Sequence, residues 1–196
     1  MEAHVARRLR FVAVQLVGAI AVIHFAVGSE QLATIAANGL LAEYLGGRVL
    51  QRPRALLFVG SSLAIFAGLV AAGRGRIDRR TAYQLGLLAM GTYLVGWVAW
   101  HTVLDHGFAL AGGGGETDTH VHGGLLATLY SHYVEPLLAT VGAATDQRGS
   151  ARTLLGVVSV TLELAASALL VVLLRYDPQA TEGGIDTGVG ADASER

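Results

Sequence analysis

Cysteine, lysine and charge are what this chain of 196 residues lacks or has little of. With no cysteine it forms no disulfide, thiolate zinc site, iron–sulfur cluster or covalent c-type haem link. Any metal would have to use His, Asp, Glu or backbone oxygen. With no lysine, all fourteen cations are arginine. Charged residues make up 15% of the chain, against about 25% in soluble domains. The net charge of −1 excludes a generally basic surface, so no nucleic-acid partner is expected. There is also no Walker loop, dinucleotide fingerprint, GxSxG or HExxH. Ser61, Ser62, Ser131 and Ser159 have no sequence context for a nucleophile.

Long apolar runs take the place of charge. Residues 11–28, 55–72, 82–101 and 154–174 are each long enough to cross a bilayer as a helix, which needs about 20 residues. A weaker run, 124–144, carries His132, Glu135 and Pro136. The pattern predicts an all-α, polytopic integral membrane bundle of about five transmembrane helices, forming a single domain over residues 1–175. Its partners are the lipid bilayer and other membrane subunits or a second copy of itself. Its location is the cell membrane.

Orientation follows from arginine, which is enriched in inner loops. Arg7, Arg8 and Arg10 precede the first run, Arg74, Arg76, Arg79 and Arg80 lie between the second and third, and Arg148 and Arg152 precede the last. Placing all nine inside puts the N-terminus inside and requires 124–144 to cross. The loop 102–123 has no Lys or Arg, as an outer loop should. Arg48, Arg52, Arg54 and Arg175 then fall outside, against the rule. If 124–144 lies on the surface instead, the chain has four spans and an inner tail. A cleaved signal peptide is the other reading of the first run, but the run is longer than a usual h-region and contains Gln15 and His24.

Residues 29–54 are too polar for a span. Asn38-Gly39 and Gly46-Gly47 break them into short helices at the outer interface, with Ser29 as a cap and Pro53 opening the second span. Residues 176–196 have no apolar period and read as a disordered acidic tail. The row Gly60, Ala64, Gly68, Ala72 suits tight helix packing, and Gln15 and Gln84 suit hydrogen bonds between helices.

The chemical lead is histidine. Six of the seven map to the outer half of the protein. His24 lies about 21 Å above Arg10 and His132 about 13 Å below the outer edge, at ~1.5 Å per residue. The two reach similar depth and are candidate cofactor ligands, with haem held between facing helices as one version. His101, His106, His120 and His122 are candidate outer ligands for a transition metal. Glu135 and Glu163 are candidate buried ionisable groups, with Glu163 about 15 Å deep and His132 its expected partner. The activity that follows is binding of a transition metal or haem near the outer face, and enzymatic chemistry would need that metal. The rival readings are a non-catalytic accessory subunit and a small proton-coupled carrier centred on Glu163.

Overall fold

The computed structural model describes residues 1–102, 129–136, 138 and 150–181. In chain order its helices are α1 (Ala3–Ala37), the single turn α2 (Leu41–Glu43), α3 (Arg54–Gly73), α4 (Arg79–Thr102), α5 (Ser150–Tyr176) and the single turn α6 (Pro178–Thr181). π-helical turns occupy Tyr44–Arg48 and Tyr130–Val134. No strand occurs among the described residues. Four of the helices, α1, α3, α4 and α5, are long and apolar enough to cross a membrane.

α1 does not stop at Gly28. Residues 29–37 contain neither Gly nor Pro, so nothing interrupts the backbone before Asn38, and Ser29 is interior to the helix rather than its cap. The helix is about 52 Å long at 1.5 Å per residue, longer than a hydrocarbon core of ~30 Å. It ends where the sequence predicts a break. Asn38 Nδ2 donates to Thr34 O (2.7 Å), Leu40 N to Ile35 O (3.0 Å), and Gly39 takes φ +72°, the left-handed closure that glycine accepts without a Cβ clash. The Tyr44 hydroxyl then donates to Arg52 O (2.9 Å), folding the connection back toward α3, which Pro53 caps.

The long helices pack in a ring, α1 and α4 each touching both α3 and α5. α1 buries Ala6, Ala13, Val17, Ile20, Ala21, His24 and Gly28, mostly three, four or seven apart, which keeps one face inward. Gln15 is two residues from both Ala13 and Val17, about 200° round the helix, and is exposed; Gln84 is exposed too. The expected glutamine contacts between helices are therefore absent among the described residues. Gly60 and Ala64 are also exposed, so the small-residue row of α3 does not form the tight seam. The close approaches lie elsewhere. A Cβ on Gly28 would stand 2.9 Å from Ala55 O and from Phe58 Cβ, and one on Gly86 would stand 3.0 Å from Leu170 Cδ1.

Contacts along the ring fix the helix directions. Arg10 and Tyr83 meet Asp177 at one end. His24 meets Phe58, Tyr93 and Glu163 further along. α1 and α4 thus run one way, and α3 and α5 the other. α4 ends and α5 begins at the same end of the bundle. Among the described residues four helices are long and apolar enough to cross a membrane, and the end of α5 lies beside the start of α1. Most of 124–144 lies outside the described residues. At the start of the expected tail, Asp177 is fully buried, α6 follows it, and Ala180 is buried. Residues 182–196 lie outside the described part.

Candidate functional site

Halfway along the ring, four helices bring polar side chains into an apolar core. α1 supplies His24, α3 supplies Phe58, Ser61 and Ser62, α4 supplies Tyr93, and α5 supplies Ser159 and Glu163. His24 and Glu163 are 7% and 2% exposed, so both ionisable groups are withdrawn from the surroundings. Such groups inside a span are costly and face the bundle interior.

His24 is held on all sides. Its Nδ1 is 3.0 Å from Ile20 O; a carbonyl only accepts, so Nδ1 carries a proton. One ring face stacks on Tyr93 at 4.0 Å with an interplanar angle of 4°, and Phe58 meets the ring edge-on at 4.6 Å. The remaining nitrogen, Nε2, lies 3.5 Å from Glu163 Oε1. That is ion-pair distance, longer than a short hydrogen bond. With Nδ1 committed, one further proton can sit on Nε2 or on the carboxyl; the pair is neutral overall with it and carries one negative charge without it.

Glu163 is only partly satisfied. Ser159, one helical turn earlier on α5, donates to Oε1 at 2.8 Å. Oε2 is buried and has no hydrogen-bond partner among the described residues. An unpaired polar atom in an apolar interior is expensive, and every such atom calls for an explanation. Beside it, Tyr93 donates its hydroxyl to Ser61 Oγ (2.6 Å), and Ser62 Oγ is tied to Phe58 O (2.7 Å).

Among the described residues Glu163 meets His24; the expected partner was His132. The backbone of His132 lies in the π-helical turn Tyr130–Val134, and its side chain is outside the described residues. The turn is tied to α5 by the hydroxyls of Tyr133 and Thr161 at 2.8 Å. Glu135, expected to be buried, is exposed. His101 lies in the last turn of α4, with Nδ1 2.8 Å from Trp97 O and its ring 4.7 Å from that indole. His106, His120 and His122 lie outside the described residues. Among the described residues no three His, Asp or Glu side chains gather as a metal site. For His24 to bind haem iron, Nε2 would have to give up Glu163 in exchange.

Sequence reasoning flagged His24 and Glu163 separately and missed their surroundings. The signals were there: Ser159 and Glu163 at i and i+4 on one helix face, adjacent serines at 61 and 62, and a tyrosine inside an apolar run. A second polar network was missed altogether. Arg10 Nη1 donates to Asp177 Oδ2 (3.1 Å) and to Gln179 Oε1 (2.6 Å), while the Tyr83 hydroxyl donates to Asp177 Oδ2 (2.6 Å).

At the far end of the bundle, the Arg54 guanidinium lies 5.3 Å from the Phe58 ring and 5.7 Å from that of Trp100. The arginine and tryptophan thus meet where an interfacial belt is expected. No protein-family model matches this chain, and no curated protein or solved structure matches it either, so the functional reading rests on this geometry.

Proposed function

We propose that the chain is an integral protein of the cell membrane with four crossings and both described ends on the arginine-rich inner side. We further propose that it is a small proton-coupled carrier whose proton-binding centre is the His24–Glu163 pair. The observation that carries the reading is the buried carboxylate with one oxygen paired toward an imidazole and the other unpartnered among the described residues. Glu163 takes and releases the proton. His24, fixed by the Ile20 carbonyl and the Tyr93 ring, compensates the charge, and Ser159 holds the carboxylate in place. The unpartnered Oε2 is the acceptor available to an incoming proton, water or polar solute. The metal reading requires His24 to abandon Glu163, and nothing in the donor set of the described residues favours it.

The test has two parts. Infrared titration of the full chain in lipid should reveal a carboxylic-acid band that changes with pH and is missing from Glu163→Gln. Vesicles holding the protein and a trapped pH dye should equilibrate protons faster than empty vesicles, with the gain lost in the same variant. No titrating band and no gain over empty vesicles would overturn the reading. A variant that only melts earlier, with both signals unchanged, would leave the pair a packing device of an accessory subunit.

A further inference from the structure

The end of the bundle that holds Arg10 carries a second feature, separate from the central pair. Arg7 and Arg8 of α1, Arg74 and Arg76 of the α3–α4 turn, and Arg79 and Arg80 of the first turn of α4 are all exposed. Arg175, near the end of α5, is exposed at the same end. The helix directions bring them together: α1 and α4 start there, and α3 and α5 finish there. None of the six first named forms an ion pair with a described residue. The nearby carboxylates are engaged elsewhere. Glu2 lies 3.1 Å from His4, Asp78 accepts from Thr81, and Asp177 is buried against Arg10.

The α3–α4 turn presents its arginines in a closed form. Arg76 N donates to Ala71 O at 2.9 Å, and Gly75 takes φ +68°. Asp78 then starts α4 by accepting from Thr81 N (2.9 Å) and the Thr81 hydroxyl (2.6 Å). The turn is therefore built before any ligand arrives. It lies just beyond the apolar length of the helices, which is headgroup depth for a bilayer covering that length. Every cation here is a guanidinium, whose planar fork matches two phosphate oxygens, where an ammonium offers a point charge.

We propose that this end binds the phosphodiester headgroups of anionic phospholipids in the inner leaflet. The proposal rests on the membrane-crossing part of the function above and not on its proton chemistry. The occupant is a lipid rather than a free anion because the arginines ring the ends of four apolar helices, where headgroups and acyl chains are contacted together. Each cation near an anionic leaflet is worth roughly a fivefold change in partition.

The experiment uses the full chain in nanodiscs of phosphatidylcholine, alone or mixed with phosphatidylglycerol. The lipids that stay bound on detergent extraction are counted by mass spectrometry. The wild type should retain phosphatidylglycerol above its share of the mixture. The variant R74Q/R76Q/R79Q/R80Q should lose that enrichment by about fivefold or more, with its melting midpoint in pure phosphatidylcholine unchanged. Equal enrichment in both proteins, or none in either, overturns the proposal. A rise in the wild-type midpoint with inorganic phosphate in pure phosphatidylcholine equal to that given by phosphatidylglycerol also overturns it, in favour of a free-anion site. Failure of the wild type to enter phosphatidylcholine nanodiscs overturns the membrane-crossing reading itself.

Discussion

Two carboxylates on the last long helix and its end, Glu163 and Asp177, face two basic residues of the first, His24 and Arg10. The spacing is the same on both sides: fourteen residues separate His24 from Arg10 and Asp177 from Glu163, about 21 Å at 1.5 Å per residue. Both acids are buried, at 2% and 0% exposure. Only one is complete. Asp177 takes Arg10 and the Tyr83 hydroxyl on Oδ2 and Gln179 N on Oδ1. Glu163 takes Ser159 on Oε1 and leaves Oε2 without a described partner. A filled buried network fixes a structure, and a partly filled one is costly. The bundle uses the first to lock the ends of α1, α4 and α5 together and carries the second in its middle.

The largest effect should come from breaking the filled network. Asp177→Ala leaves the Arg10 guanidinium, the Tyr83 hydroxyl and the Gln179 N–H without their common acceptor. Losing one member of a buried pair costs about 3–5 kcal/mol, visible as a lower melting midpoint in detergent. Arg10→Gln should cost less, since the Tyr83 and Gln179 contacts remain. A double-mutant cycle between the two positions should give strong coupling. Additive effects would mean that the lock is not a unit.

The central pair should respond in the opposite direction. Replacing it whole, as His24→Leu with Glu163→Met, removes the unpartnered oxygen together with the charges. Swaps of buried ion pairs for apolar residues of similar volume are neutral or stabilising by about 1–4 kcal/mol. The doubly replaced protein should therefore melt no earlier than the wild type and lose its infrared carboxyl signal. A large loss of stability would place this pair in the same class as Arg10 and Asp177.

The difference between the two networks also explains what could be read from the sequence. Glu163 lies in the middle of its apolar run, so its depth is nearly the same whichever way α5 runs. His24 was likewise placed by counting from Arg10. Those two residues were legible because depth is a local property. Their pairing was not, because a partner across the bundle depends on helix order and direction. Asp177 suffered most. An odd number of crossings puts it at the outer face, and an even number puts it beside Arg10, so one weak segment at 124–144 decided whether the lock existed. Local breaks were legible for the same reason as depth: Asn38-Gly39 and Pro53 mark helix ends by their own backbone chemistry. Gly28 was not, because its role is the approach of Ala55 and Phe58 from another helix.

A smaller effect separates position from charge at the centre. Ser159→Ala removes the only hydroxyl bonded to the Glu163 carboxyl group among the described residues and leaves the imidazole in place. Hydrogen bonds between side chains in membrane bundles are worth roughly 0.6 kcal/mol and at most about 1.7. The melting midpoint should barely move, while the titration of the carboxyl band should change, since Ser159 bonds the carboxyl directly. An unchanged titration would remove Ser159 from the centre.

The smallest expected effect belongs to a third carboxylate, exposed where the other two are buried. Asp78 starts α4 at the inner end, and its carboxyl is held below its ordinary value of 3.8, first by the Thr81 hydroxyl and then by the Thr81 backbone N–H. A depressed folded-state value means that the ionised form supports the fold. The contribution is fully present above the unfolded value of about 4 and fades as pH falls through the lower folded value. Asp78→Ala should lower the midpoint slightly at neutral pH, and the gap from wild type should close on acidification. Asp177→Ala at neutral pH should exceed it by far, because solvent reaches every group that Asp78 leaves behind. If the two variants lose equal stability, burial is not what makes the Arg10 lock strong, and the contrast between a filled buried network and an open one loses its energetic basis.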